Sequence, residues 1–346
     1  MKHTLLVVAL LVCVAVVTDG AFAQNKRTGT AAATELLIPV GARGLAMGGS
    51  TIATSVGLDA IHWNPAGLGR MQSSAEGMFS SMNYIADIGV SYGAVGASFG
   101  EFGVLALSIK SLDFGEIPLT TEDDPENTSG RFFSPTFVTV GLSYSRAITD
   151  AIAFGGTIKI ISEQITNVSA TGFAIDLGVQ YNRVAGIGGL SLGVAVKNVG
   201  PQMKFDGSGL YRNATSADGR RPQQRYRSEA AEAELPSLIE IGLSYGGMTA
   251  ENLSYSVNGS FMNNNLYLDQ YNLGGEVGYS FQEFKVFGRA GIGLVPQAEE
   301  KEHIFGATFG AGFQYQASGI DITIDYAYRQ VEFFDANNVF AIKFGF

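Results

Sequence analysis

The feature that most constrains this chain is a two-residue alternation that returns fourteen times between Ala75 and Phe346. The segments run 75–84, 87–99, 102–112, 134–148, 151–164, 170–182, 187–199, 236–247, 250–262, 270–281, 284–295, 304–316, 319–331 and 335–346. In one, Phe173, Ile175, Leu177, Val179 and Tyr181 share a face opposite Ala174, Asp176, Gly178 and Gln180. In another, Ile320, Ile322, Ile324, Tyr326 and Tyr328 oppose Asp321, Thr323, Asp325 and Ala327. A strand turns successive side chains to opposite faces, so each segment has one apolar face and one small or polar face. A tilted strand needs about 9–11 residues to cross a hydrocarbon core, and every segment is long enough. The pattern predicts an all-β fold: a 14-stranded antiparallel transmembrane β-barrel, apolar outside and polar inside.

The connections test that reading independently. With both termini on the periplasmic side, every second connection must be a tight turn while the others are free to lengthen. The expected turns are Gly100-Glu101, Thr149-Asp150, Asn182 to Gly186, Gly246 to Thr249, Gln282-Glu283 and Ala317-Ser318. The long connections are Asp113 to Phe133, Gly200 to Leu235 and Pro296 to His303. A soluble β-sandwich of this size would divide into two domains, and no linker divides this chain; a solenoid would show a fixed repeat, and none is visible.

Composition agrees with a strand-rich membrane protein. The chain is 46% hydrophobic and 16% charged, with 45 glycines, 23 phenylalanines, 14 tyrosines and 9 prolines. Near the start, Lys2 and His3 precede an apolar run from Leu5 to Val17, and Ala21-Phe22-Ala23 supplies a small-x-small cleavage site. That is the layout of a secretory signal peptide over residues 1–23, too short to span as a helix. Val12 before Cys13 is too large for a lipidation signal, and the mature chain holds no cysteine for disulfide or thiol chemistry. The net charge of −10 leaves no basic stripe for nucleic acid. At the other end, Phe340, Ile342, Phe344 and Phe346 share one face of the last segment. This looks like the closing strand of a bacterial outer-membrane barrel, with Phe344 and Phe346 resembling the signal read by the barrel-assembly machinery.

Residues 24–74 do not alternate. They carry GARGLAMGG at 41–49 and HWNPAGLGRM at 62–71. Irregular backbone at membrane depth survives only where protein or water satisfies its polar groups. A hatch folded inside the barrel of residues 75–346 is the economical placement, with glycines allowing close approach to the wall.

Ile38-Pro39-Val40-Gly41-Ala42-Arg43, Met47-Gly48-Gly49, Asp59-Ala60 and Trp63-Asn64-Pro65-Ala66-Gly67-Leu68 resemble the amino-terminal signature of the PorV/PorQ family. That family is a branch of the FadL-like long-chain fatty-acid transporter superfamily. GFAIDLGVQY at 172–181, LGVAVKNVGPQMKF at 192–205, Leu235-Pro236 and Asp325-Tyr326-Ala327-Tyr328 resemble its later blocks. The resemblance covers essentially the whole mature chain. It implies a FadL-like fourteen-stranded outer-membrane barrel with an amino-terminal hatch. The hatch motif would comprise Gly41, Arg43, Gly48, Gly49, Trp63, Asn64, Pro65, Ala66 and Gly67. By its named members it implies a type IX secretion component that handles exported cargo, meeting cargo carboxy-terminal domains at the translocon. The wider superfamily implies the alternative: a channel for uptake of hydrophobic compounds. Residue by residue, both stay open.

No catalytic constellation emerges. Outside the leader only His62 and His303 remain, and no histidine pair has metal spacing. We expect neither enzyme activity, metal nor cofactor, and read His62 as a hydrogen-bonding residue of the hatch. Glu122-Asp123-Asp124-Pro125-Glu126 lacks the spacing of a defined calcium loop and reads as a solvated charge run. Arg220, Arg221, Arg225 and Arg227 crowd the longest loop, where lipopolysaccharide phosphates are one candidate partner beside the outer-membrane lipid. Inward charges of mixed sign (Lys159, Asp176, Lys197, Glu240, Glu276, Lys285, Arg289, Asp321, Asp325, Lys343) are expected to form ion pairs with one another and with the hatch.

Overall fold

The computed structural model describes residues 29–215, 223–299, 302–317 and 319–346. The leader expected over residues 1–23, the first residues of the 24–74 segment, Arg220, Arg221 and Ser318 lie outside the described residues.

Fourteen strands close into one antiparallel barrel. They are β1 Ala75–Asn83, β2 Gly89–Ser98, β3 Val104–Asp113, β4 Thr136–Ala147, β5 Ile152–Ile165, β6 Val168–Asn182 and β7 Leu190–Val199. The second half comprises β8 Leu238–Ala250, β9 Leu253–Asn264, β10 Gln270–Phe281, β11 Phe284–Leu294, β12 Phe305–Ala317, β13 Ile320–Val331 and β14 Asn337–Gly345. Each strand pairs with its neighbours in sequence, and β1 closes the ring by pairing with β14, Met78 opposite Lys343. Closure leaves no unpaired edge, which a sheet in lipid cannot tolerate. Phe346 extends the seam: its amide donates to the Ala75 carbonyl at 2.9 Å and its carbonyl accepts from Ser74 N at 2.6 Å.

The faces fall as the alternation predicts. On β6, Phe173, Leu177 and Val179 are exposed while Ala174, Asp176 and Gln180 are buried. On β13, Ile320, Ile324 and Tyr328 are exposed while Thr323, Asp325 and Ala327 are buried. Phe340, Phe344 and Phe346 belong to the exposed set on the closing strand.

One expected turn is corrected. Gly246 to Thr249 is strand, the last stretch of β8, and the reversal comes at Glu251-Asn252. Paired glycines suggested a turn, but at Gly246 and Gly247 the ladder to Ser256 and Tyr255 continues unbroken. The irregularity falls between Met248 and Ala250, where the register shifts as in a bulge. The other tight turns sit at one end of the barrel, hereafter the turn end. The opposite loop end carries small hairpins: Ile117–Pro118 with Phe132–Phe133, Tyr211–Ala214 with Gln224–Arg227, and Met203–Lys204 with Glu232–Ala233.

Six wall glycines bring the backbone of the irregular segment close to the strands. A Cβ at Gly155 would strike the Pro65 carbonyl, one at Gly178 the Asn64 Oδ1, and one at Gly193 the Ile52 carbonyl. Cβ atoms at Gly274 and Gly291 would strike Met47 backbone, and one at Gly310 the Ala46 methyl. These contacts reach strands on both halves of the ring. Gly291→Val is expected to leave the barrel assembled, as judged by heat-modifiable gel mobility, while unseating residues 42–49. Limited proteolysis in detergent should then cut within that stretch; protection equal to the parent's would refute the close approach.

Candidate functional site

The glycine-rich and Trp-Asn-Pro-Ala-Gly elements converge on two short helices, α1 Ala42–Ala46 and α2 Ala60–Trp63. Gly41 enters α1 at φ 82°, and Gly48 (φ 65°) and Gly49 (φ 83°) leave it in a left-handed turn that ordinary residues resist. The Gly49 amide closes that turn on the Gly44 carbonyl at 3.0 Å. Gly44 faces the Trp63 indole so closely that a Cβ would overlap the ring. Trp63 thus holds α1 and α2 together, and Gly49 lies against the same ring.

Asn64 is a fully buried hub. Its Nδ2 donates to the Ile52 carbonyl at 2.9 Å and to Val179 O of β6 at 3.1 Å. Its Oδ1 accepts from Ala66 N at 3.2 Å, capping the 3-10 turn Pro65–Arg70, where Pro65 occupies the first position. Ala66 O accepts from Ser145 Oγ of β4 at 2.9 Å. A Cβ on Gly67 would strike the Ser55 carbonyl. At the turn end, Arg70 donates to Ala151 O at 2.7 Å. Every hatch-motif residue named from the sequence therefore lies in, or directly against, one packed unit.

Arg43 makes the central electrostatic contact. Its Nε and Nη2 donate to the two carboxylate oxygens of Glu276 on β10, each at 3.1 Å, and its Nη1 to Thr54 O at 3.2 Å. Glu276 also accepts from Arg289 Nε on β11 at 2.5 Å, and Arg289 Nη1 donates to Asp325 on β13 at 2.5 Å. Burial opposes the Arg43 charge, but Glu276, then Asp59 and Asp325, outweigh it and raise the guanidinium pKa. Lys343 of β14 pairs with Asp59 at 3.0 Å, Lys159 of β5 with Asp176 at 2.5 Å, and Lys197 of β7 with Glu240 at 3.3 Å. Eight of the ten inward charges expected to pair do so in this geometry, and among the described residues Lys285 and Asp321 form no ion pair. Asp321 instead accepts from the Gln314 amide at 2.6 Å.

Several participants escaped the sequence reading. Lys110 on β3 donates to Ile38 O at 2.9 Å, Glu163 on β5 accepts from Ala33 N at 2.9 Å, and Glu76 accepts from Leu58 N at 3.1 Å. Glu35 is buried near Glu163. The signal was available: Lys110 continues the inward series Val104, Ala106, Ser108, and Glu163 that of Ala153, Gly155, Thr157, Ile161. The His62 ring meets the Trp63 ring edge-on at 5.0 Å, an aromatic contact where a hydrogen bond was expected. Burial, followed by Lys110, Lys197 and Lys159, lowers its pKa well below the usual histidine range. The acidic run folds into a turn of its own: Asp124 accepts from Thr128 N at 2.7 Å and Ser129 N at 3.0 Å. In the longest loop, Arg227 pairs with Asp206 at 2.5 Å and Arg225 lies 4.8 Å over the Tyr211 ring.

This arrangement defines the class: a closed fourteen-stranded antiparallel β-barrel with an apolar outer face and an irregular amino-terminal segment packed against its wall. The chain is similar in fold to the toluene transporter TodX of P. putida, at 12% identity, TM-score 0.55, covering 88% of this chain and 97% of that one. It is similar likewise to the toluene transporter TbuX of Ralstonia pickettii, at 14% identity, TM-score 0.52, covering 88% and 98%. None of the curated proteins compared by sequence matches. The family of type IX secretion system protein PorV matches residues 21–218, more than half of the chain, and the chain belongs to that family.

Two outcomes follow from the electrostatics. Arg43→Met strips Glu276 of its bidentate partner, and a broken buried pair costs about 3–5 kcal/mol. Thermal unfolding in detergent should show a lowered Tm, partly recovered in Arg43→Met/Glu276→Gln; equal loss in both would exclude the pairing as the cause. Separately, burial and then Glu163 push the Glu35 carboxyl up to about 8 from its ordinary 4.5. The folded chain then holds that proton more tightly than the unfolded one. The contribution is complete below 4.5 and declines as pH rises towards 8. Glu35→Gln should therefore raise Tm over the parent at pH 8 and scarcely at pH 5; an unchanged difference would contradict the shift.

Proposed function

We propose that this chain serves type IX secretion as a binding barrel in the outer membrane, receiving exported proteins at its loop end by their carboxy-terminal domains. The observation that carries this reading is membership of the PorV family over residues 21–218. In it, residues 1–23 are a cleaved leader and the barrel-assembly machinery reads Phe344 and Phe346. Residues 24–74 form a hatch anchored by Arg43 and the Asn64-Pro65-Ala66-Gly67 turn.

Two features of the geometry support binding over passage. The buried pairs from Arg43, Asp59 and Lys197 would have to break before the segment could leave the strands. The loop end, by contrast, presents large apolar side chains on folded hairpins: Ile117 and Phe132 on one, Tyr211 and Tyr226 on another. Exposed apolar groups on ordered loops are the surface a protein partner can bury. TodX and TbuX are toluene transporters, and likeness of fold extends that reading to this chain as the competing one.

The test compares the parent with Ile117→Ser/Phe132→Ser, each tagged and recovered from its native outer membrane in mild detergent. Mass spectrometry should find translocon and exported proteins with intact carboxy-terminal domains on the parent, reduced at least about tenfold on the variant, since hot-spot losses exceed about 2 kcal/mol. A bound hydrophobic compound with no protein partner on either would replace secretion with transport.

A further inference from the structure

Between the irregular segment and the wall of β2–β5 lies a cavity of about 40 Å³. One water needs about 10–15 Å³ by this measure, so the space admits a compact ion with a water and excludes an acyl chain. Its wall is a cross-strand row: Tyr92 pairs with Lys110, and Lys110 with Thr139. One step along, Ser108 pairs with Gly141, and Gly141 with Lys159. Gly141 makes the space, since a Cβ there would stand 2.7 Å from Ser108 Oγ and 3.4 Å from Thr157 Cγ2. Val40 and His62 close it from the segment.

The polar groups facing this space are incompletely used. Lys110 is 6% exposed, and its ammonium has three protons but one acceptor, the Ile38 carbonyl. Among the described residues, no carboxylate stands within the 4.0 Å of an ion pair to Lys110, whereas Lys159 and Lys197 each have one. The Thr139 hydroxyl, 8% exposed as a residue, makes no hydrogen bond, and the Tyr92 hydroxyl, beside Ser108, makes none of good geometry. Glu35, the acidic group that acts most on Lys110, makes no ion pair with it and is buried beside Glu163. The neutral state of His62 fits the positive potential of the three lysines. Waters would satisfy the hydroxyls, whereas a buried amine stays an ammonium only beside a counter-charge.

We propose that this cavity is a binding site for a compact monovalent anion, a halide or a small carboxylate of formate size. Lys110 supplies the charge, and the Thr139 and Tyr92 hydroxyls donate hydrogen bonds. The anion would sit where β3 meets the segment, so occupancy would tighten the Ile38–Lys110 tie. The site stands independently of the secretion reading.

The full-length protein in detergent is unfolded thermally at fixed ionic strength in sodium chloride, sodium formate or sodium gluconate, the last too large to enter. Chloride or formate should raise Tm over gluconate, and their order tells halide from carboxylate. Thr139→Val, which removes one hydrogen bond to a charged ligand, should weaken the chloride response about tenfold. Lys110→Met should abolish it, and Thr139→Val keeps the test open if Lys110→Met does not fold. Crystals soaked in sodium bromide should show an anomalous peak in hydrogen-bond reach of Lys110 Nζ. Equal response to all three salts, an undiminished chloride response in Thr139→Val, or bromide only elsewhere would overturn the site.

Discussion

A closed barrel in lipid turns half of its side chains inward, and the charges among them must be paired without bulk water. Here much of that pairing comes from one irregular stretch of chain. Arg43 completes Glu276, which Arg289 links onward to Asp325. Asp59 completes Lys343 beside the closing seam of β1 and β14. On the opposite arc, Asn64 and Ala66 exchange hydrogen bonds with β6 and β4. Without the segment, Lys343 would lose its carboxylate and Glu276 its bidentate partner. The barrel wall and the segment therefore complete one another's polar contacts.

That dependence bears on function. A conduit needs a segment that moves at modest cost, and movement here separates several buried pairs at once. Wall glycines add to the restraint, because backbone-to-backbone contact at Met47, Ile52 and Pro65 leaves no slack for sliding. The free surface is at the loop end, where folded hairpins display Phe132 and Tyr226. A closely packed interior with apolar side chains on folded loops suits recognition of a large partner, and family membership points the same way.

Period-two patterning made the strands legible because lipid enforces it on every residue of a span. Strand number, order and outward faces follow from it, as Phe173, Leu177 and Val179 illustrate. The turn at 246–249 misled because Gly246 and Gly247 look like a reversal, while a strand facing lipid on one side accepts glycine wherever a neighbour crowds in. The segment was legible as motifs and not as contacts. Nothing in the spacing of Arg43 and Glu276, 233 residues apart, announces their bidentate pair. Lys110 and Glu163 were within reach of the same alternation that exposed Lys159, and went unremarked only because single charges in apolar strands draw less notice than motifs.

A buried lysine without a carboxylate is informative for that reason. Two inward lysines meet carboxylates on adjacent strands: Lys159 on β5 faces Asp176 on β6, and Lys197 on β7 faces Glu240 on β8. Lys110 does not, with Tyr92 and Thr139 as its cross-strand neighbours. Hydroxyls flanking an ammonium cannot neutralise it, but they can donate to whatever does. The same three strands also leave room there, since Gly141 withholds a side chain in the adjoining row. Charge, donors and space coincide there, and an anion satisfies all three.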